Sequence, residues 1–230
     1  MSWEQAKVNA AKAALSEVEK CSIVGVGTGS TVEKFIELLV SEYFSKNQFY
    51  VPSSIDTALK LSQHGLLVLD PGSAPEIEIY IDGADEVDLK LNMIKGGGAA
   101  MTTEKILAHY ARKRVFIVDQ TKLVNRLGEK HPVPIEVLPQ ALTSVLRELE
   151  KRGFRAVPRF LGKGKAGPVV SDTGGIIIDV YTDSINDPEK LNLTLKSLPG
   201  VVETGLFIGY ADVVYVGYPE GYRVFSKTQL

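Results

Sequence analysis

Short apolar runs alternate with segments of helical periodicity across residues 22–118, and this alternation limits the fold more than any other feature of the chain. Residues 22–26, 66–69, 77–81 and 114–118 read as strands, with a further short one at 49–51. Between them lie a segment with Val32, Phe35, Ile36 and Leu39 at helical spacing, a helix over 54–64 closed by Gly65, and a helix over 102–111. An alanine-rich helix over 3–19 comes first. Strands that alternate with helices pair in parallel, because each helix returns the chain across a face of the sheet. The expectation is an α/β domain with helices on both faces of a parallel sheet.

The pattern changes at His131-Pro132-Val133-Pro134. A strand (135–138), a helix (140–151) and a strand near 155–157 follow. A glycine- and lysine-rich turn (162–167) leads to strands at 169–170 and 176–181. A helix starting near Pro188 ends before Pro199-Gly200, and a strand covers 201–206. This β-α-β-β-α-β order predicts a small α+β domain of ferredoxin-like type. Two last strands, 212–216 and 222–225, return to the first domain. The expected division is 1–130 with 207–230, and 131–206.

Composition narrows the function. The 230 residues suffice for one large core or two modest ones. A net charge of -2 without a basic tract disfavours a nucleic-acid surface. No apolar run approaches a membrane span, and the first 20 residues lack the apolar centre of a signal peptide. The single cysteine, Cys21, excludes an internal disulfide framework. A cytoplasmic protein is the simple reading. Three scattered histidines offer no metal cluster, although plentiful carboxylates leave an all-oxygen Mg²⁺ site open.

Four segments carry chemistry. Gly25-Val26-Gly27-Thr28-Gly29-Ser30-Thr31 joins a strand to a helix, where free N–H groups and the helix dipole suit a phosphate. It lacks the third glycine of a dinucleotide fingerprint and the Gly-Lys-Ser/Thr ending of a P-loop. Glycines alone equally mark a tight turn; the hydroxyls of Thr28, Ser30 and Thr31 favour a ligand. Asp82-Gly83-Ala84-Asp85 follows a strand directly, at the edge where ligands bind open α/β sheets. An Asx turn explains either aspartate, but explains the pair less well. Glu86 and Asp88 read as solvated loop charges.

Lys95-Gly96-Gly97-Gly98 sets a cation against three glycines, where bare backbone can form a nest for an oxyanion. Glu104 shares a helix face with Leu107, Ala108 and Ala111, while Lys105, His109, Arg112 and Lys113 project elsewhere. Burial would raise its pKa; the helix N-terminus and Lys95 would lower it, a balance that suits a base near neutral pH. The alternative is a first-turn glutamate that complements the helix dipole. Lys122 lies beyond a strand end and Lys7 on the first helix, both weaker anion ligands.

Together these residues resemble ribose-5-phosphate isomerase type A. The resemblance rests on the Gly25–Thr31 motif, Asp82-Gly83-Ala84-Asp85-Glu86-Val87 and Met93-Ile94-Lys95-Gly96-Gly97-Gly98-Ala99-Ala100. Support comes from Ser53-Ser54, Thr103-Glu104-Lys105-Ile106, Pro134-Ile135-Glu136-Val137 and Pro199-Gly200-Val201-Val202-Glu203-Thr204-Gly205-Leu206-Phe207. It implies a Rossmann-like first domain, and a ferredoxin-like second domain that supports assembly into homodimers or homotetramers. It implies reversible isomerisation of D-ribose 5-phosphate and D-ribulose 5-phosphate through a cis-enediolate, in the non-oxidative pentose phosphate branch, with no cofactor and no metal.

The family's base falls on Glu104 and its ring-opening aspartate on Asp82, with Asp85 beside it in the sugar site. Lys95 and the N–H groups of Gly96, Gly97 and Gly98 match the enediolate loop. Thr28, Gly29, Ser30 and Thr31 match the phosphate loop, Gly83 and Ala84 the sugar site, and Lys122 and Lys7 the family's lysines. Two segments depart from the pattern. Gln120-Thr121-Lys122 replaces a more usual Ala-Ser-Lys, and residues 158–168 are longer and more basic, in a segment read as outside the site. A sugar-phosphate deaminase would need a histidine near a motif. A CoA transferase would need a nucleophilic glutamate outside a helix. A non-catalytic sensor would tolerate loss of Glu104.

Overall fold

β-branched and aromatic residues fill the central strands, and burial on both faces removes the polar alternation that marks a half-exposed strand. Ile79-Tyr80-Ile81-Asp82 is buried throughout. The computed structural model describes residues 2–43, 48–162 and 166–227. In chain order its elements begin with α1 (Ser2–Val18), β1 (Ile23–Val26), α2 (Ser30–Tyr43), β2 (Phe49–Pro52), α3 (Ile55–Gln63), β3 (Leu67–Val68) and β4 (Ile79–Asp82). There follow β5 (Glu86–Val87), β6 (Met93–Ile94), α4 (Met101–Tyr110), β7 (Lys113–Asp119), β8 (Val133–Val137), α5 (Leu142–Lys151), β9 (Arg155–Pro158) and β10 (Ile176–Tyr181). The chain closes with α6 (Pro188–Lys196), β11 (Val201–Thr204), β12 (Leu206–Phe207), β13 (Val213–Tyr218) and β14 (Gly221–Ser226).

The chain divides into two compact units. The first comprises residues 1–84, 103–123 and 209–230, and the second residues 85–102 and 124–208. The first is built on a seven-stranded sheet of order β14-β13-β7-β4-β1-β2-β3. Its pairs are parallel except β13 with β14. From β1 the chain moves outward through β2 to β3, then returns to place β4 on the other side of β1. That reversal is a topological switch point, where an open α/β sheet leaves a crevice at its carboxyl edge. The core beneath holds Val24, Val26, Phe35, Leu39, Ile79 and Ile117. Helix α1 packs so closely on β13 that a Cβ at Gly217 would lie 1.8 Å from the Ala6 carbonyl oxygen.

Local chemistry sets the helix ends. Ser54 caps α3 by accepting from the Thr57 N–H at 3.0 Å, and Gly65 follows with φ +73°. Asp187 caps α6, with Pro188 at its first position.

The second unit carries an antiparallel sheet of order β11-β8-β10-β9, the expected ferredoxin-like arrangement, with a core of Val133, Ile135, Leu149, Ile178 and Leu195. It also carries a three-stranded sheet, β12-β6-β5, which the sequence does not predict. Strands of two residues are too short to show a period. The single strand expected over 201–206 is two: β11 pairs with β8 and β12 with β6. They part at Gly205, where a Cβ would lie 2.2 Å from the Lys95 carbonyl oxygen. The strand expected at 169–170 reduces to one bridge between Val170 and Ile176. Residues 163–165 of the expected glycine–lysine turn lie outside the described residues.

Candidate active site

In the first unit the chemistry gathers at the carboxyl edge of three neighbouring parallel strands. β1 ends at Val26, β4 at Asp82 and β7 at Asp119, so the loops that follow leave the sheet on one side. Asp82 is fully buried there. Its Oδ1 accepts from the Thr28 N–H at 3.2 Å and from the Gly83 N–H at 2.7 Å. Its Oδ2 accepts from the Tyr80 hydroxyl at 2.6 Å.

The glycines of the first motif explain why Asp82 fits. Gly25 pairs in register with Tyr80, and a Cβ there would lie 2.8 Å from the Tyr80 ring. Two residues on, a Cβ at Gly27 would lie 1.9 Å from Asp82 Oδ1. Side chains two apart on a strand share a face. Two bare positions on β1 and its extension therefore accommodate two large side chains of β4. Gly29 does something else: it turns the chain at φ +127°, and its carbonyl accepts from the Glu33 N–H at 2.9 Å as α2 begins.

The hydroxyls of the loop differ in their surroundings. Thr28 Oγ1 sits among Ser53 Oγ (2.9 Å), Ser54 Oγ (2.8 Å) and Thr57 Oγ1 (3.0 Å). Thr57 Oγ1 in turn donates to the Gly27 carbonyl at 2.8 Å. Thr31 is buried, whereas Gly29 and Ser30 are exposed at the N-terminus of α2, the end that attracts an anion.

Glu104 stands in the first turn of α4 and is 3 % exposed. Leu107, Ala108 and Ala111 are buried with it, as their spacing predicts. Lys105 corrects that reading: expected to project away, it is 7 % exposed. Burial raises the Tyr80 phenol well above its ordinary range, and the charges of Asp82 and Glu104 raise it further. Tyr80 is thus a proton donor within the electrostatic reach of both carboxylates, and sequence reasoning missed it. An aromatic in an apolar strand reads as core. Lys122 ends a short 3₁₀ turn capped by Asp119, just past β7. Lys7 lies on α1, paired with Glu4 at 2.9 Å.

The second unit holds the glycine loop. Lys95 is 3 % exposed; its N–H donates to the Gly205 carbonyl at 2.9 Å, and its Nζ lies 5.5 Å from the Phe207 ring centroid. Gly96 adopts φ +102°, and a Cβ there would lie 2.9 Å from Met101 Sδ. The Gly97 N–H donates to Asp85 Oδ2 at 2.8 Å. On this geometry Asp85 shapes the loop.

Two expectations for this unit are corrected. Glu86 and Asp88 are not solvated loop charges. Glu86 is fully buried and accepts from the N–H groups of Gly128 (2.6 Å), Lys130 (2.6 Å) and His131 (2.7 Å). Asp88 Oδ1 accepts from the N–H groups of Lys90 and Asn92, both at 2.8 Å. Nor does the 158–168 segment stand wholly apart. Arg159 Nη1 donates to the carbonyls of Gly96 (2.7 Å) and Gly97 (2.9 Å). A link across 62 residues leaves no local sequence signal. A concavity of about 600 Å³ in this unit, lined by Asp88, Asn92, Arg126 and Asp187 among others, includes none of the expected site residues.

Among the described residues, no three histidine, cysteine or acidic side chains cluster as metal ligands. No helix among them is long and apolar enough to cross a membrane.

Comparison with known proteins gives a consistent result. Residues 49–221 match the family model of ribose 5-phosphate isomerase A, also called phosphoriboisomerase A. Ribose-5-phosphate isomerase A of Trichodesmium erythraeum is 43% identical over 226 residues, covering 96% of this chain and 94% of that protein. A solved D-ribose-5-phosphate isomerase in complex with phospho-erythronic acid superposes with a TM-score of 0.93 at 40% identity, over 99% of this chain and 100% of that one. Ribose 5-phosphate isomerase A of Methanocaldococcus jannaschii superposes with a TM-score of 0.89 at 38% identity, over 97% and 99%.

Proposed function

The chain belongs to the ribose 5-phosphate isomerase A family, and we propose that it interconverts D-ribose 5-phosphate and D-ribulose 5-phosphate with Glu104 as the base. The reaction is an aldose–ketose isomerisation. In the proposed course Glu104 moves a proton between C1 and C2 through a cis-enediolate. A proton beside a carbonyl becomes acidic enough only if preorganised donors meet the oxyanion as it forms. That task falls to Lys95 and the Gly96–Gly98 loop. Asp82 assists opening of the furanose ring, and Asp85 keeps the loop in shape beside the sugar. The N-terminus of α2 with Ser30 and Thr31, supported by the Thr28 hydroxyl cluster, receives the phosphate, with Lys122 and Lys7 as further cations.

The observation that carries this reading is the burial of Glu104 in the first turn of α4, in the same unit as the buried Asp82 that the Tyr80 hydroxyl holds at a strand end. Burying a carboxylate is costly, and such groups cluster where chemistry needs them. We further propose that the protein is cytoplasmic, acts without a cofactor, and assembles as a homodimer or homotetramer.

The test is direct. Purified protein is mixed with ribose 5-phosphate and ketose formation is followed with and without a chelator. Turnover in both samples supports the reading. No turnover in either overturns it, and turnover abolished by the chelator overturns the metal-free mechanism.

A further inference from the structure

We propose that Arg159 is a positioning residue for the glycine loop: by holding the carbonyls of Gly96 and Gly97, its guanidinium aims the N–H groups of Gly97 and Gly98. The inference rests on the isomerase reading above.

Arg159 follows β9 directly and is fixed at both backbone and side chain. Its N–H donates to the Ile177 carbonyl at 2.8 Å, and its carbonyl accepts from the Val169 N–H at 2.7 Å. Its Nε donates to Asp179 Oδ2 at 2.9 Å, and its Nη2 donates to Asp179 Oδ1. Asp179 lies on β10, so the planar fork is anchored to the sheet. Both side chains are mostly buried, at 15% and 11% exposure. The remaining nitrogen, Nη1, bridges the Gly96 and Gly97 carbonyls at 2.7 and 2.9 Å.

Peptide geometry turns that bridge into an orientation. A trans peptide is planar, so each carbonyl points opposite to the N–H that follows it. Among the described residues no peptide bond is cis. Holding the Gly96 carbonyl fixes the Gly97 N–H, which donates to Asp85 Oδ2 at 2.8 Å. Holding the Gly97 carbonyl turns the Gly98 N–H away from Arg159. The Gly96–Gly97 peptide plane is thus clamped between a cation on one side and a carboxylate on the other, and the Gly97–Gly98 plane is held by the cation. The Ala99 N–H also donates to the Gly96 carbonyl at 3.0 Å, and Arg159 adds its hold on a run of glycines that loses much backbone freedom on ordering. A cation on a carbonyl also polarises the amide and strengthens its N–H as a donor.

Lysine cannot reproduce this. It offers one point charge where arginine offers a rigid fork that serves a carboxylate and two carbonyls at once. The 158–168 segment therefore contributes the residue that stiffens the loop.

The test compares wild type with Arg159→Lys, Arg159→Ala and Asp179→Asn, each first confirmed folded by circular dichroism. Turnover of ribose 5-phosphate is measured, together with inhibition by phospho-erythronic acid and by inorganic phosphate. Phospho-erythronic acid carries a carboxylate at the end where the enediolate forms, and inorganic phosphate has no such group. In Arg159→Lys we expect kcat to fall about 10- to 100-fold, at or below the loss on deleting one oxyanion donor. KM stays near the wild-type value. Inhibition by phospho-erythronic acid weakens along with kcat, while inhibition by inorganic phosphate is unchanged. Added guanidinium restores part of the turnover of Arg159→Ala.

Wild-type kcat in folded Arg159→Lys overturns the proposal. So does equal weakening of both inhibitors, the sign of general structural damage. If Arg159→Ala does not fold, Arg159→Lys and Asp179→Asn decide. An inactive wild type overturns the isomerase reading itself; an active wild type with undisturbed variants overturns only the role of Arg159.

Discussion

The Tyr80 hydroxyl donates to Asp82 Oδ2 at 2.6 Å, two residues along one strand, and both side chains are fully buried. Strand geometry puts the two on one face, and the bare positions at Gly25 and Gly27 make room for them. Tyr80→Phe deletes the hydroxyl that donates to Oδ2 and leaves the ring in place. Loss of a partner from a buried polar group costs about 1–3 kcal/mol. The expected outcome is a lower denaturation midpoint. A displaced Asp82 would also slow turnover about tenfold, the equivalent of ~1.4 kcal/mol on the barrier. Denaturant titration and steady-state kinetics check the two parts.

Gly27→Ala tests the same relationship from the other strand. The new methyl would stand 1.9 Å from Asp82 Oδ1, so Asp82 must leave its position. Overpacking of this kind costs about 1–3 kcal/mol or more. We expect kcat to fall further than in Tyr80→Phe, since the carboxylate moves as a whole. Gly29→Ala, where nothing lies within 4 Å of the added carbon, leaves Asp82 in place, and its effect comes from its positive φ and its position in the phosphate loop. Kinetics of the pair separate the two glycine roles.

Glu86→Gln addresses the second unit. Gln brings an amide N–H₂ to a pocket with three backbone N–H donors. Facing donor to donor costs about 1–3 kcal/mol. The midpoint of unfolding should drop, with kcat per folded molecule little changed. A large loss of kcat at full stability would contradict a purely structural Glu86.

The Arg114–Asp212 pair predicts a pH dependence. Burial alone would raise the Asp212 pKa, but hydrogen bonds and charge from Arg114 outweigh it and hold the carboxyl below its ordinary value. The guanidinium meets the carboxylate as a fork, at 2.9 Å and 2.8 Å. A group whose folded pKa is depressed adds stability above its unfolded pKa, near 3.9 for aspartate, and loses it as pH falls through the folded value. Asp212→Asn should therefore lower stability at pH 7 by about 1 kcal/mol, a modest figure because solvent screens a partly exposed pair. The difference should narrow as pH falls below the unfolded aspartate value and through the depressed folded one. Denaturant midpoints measured across pH check both.

How much of this the sequence reveals depends on how locally each feature is encoded. Asp82 and Glu104 are legible because an aspartate at a strand end and a glutamate on an apolar helix face each break a local pattern. Tyr80 breaks none, and its role emerges only when Gly25 and Gly27 are seen to face it. The alternation of strands and helices predicts the parallel sheet, since each helical return is encoded over a dozen neighbouring residues. β5, β6 and β12 are two residues each and exist through partners far along the chain. Glu86 misleads for the same reason. An acidic residue in a loop-like stretch looks solvated until the 128–131 backbone closes over it. Arg159 reaches Gly96 across 63 positions, and no window of sequence contains both.

Whether Glu104 moves the proton is read from kcat of Glu104→Gln on ribose 5-phosphate. Glutamine keeps the shape of the buried side chain and removes its basicity. The predicted result is a fall in kcat of about 10²–10⁴, the usual contribution of general base catalysis, with inhibition by inorganic phosphate unchanged. A folded Glu104→Gln enzyme with wild-type kcat would contradict a role for Glu104 as the base.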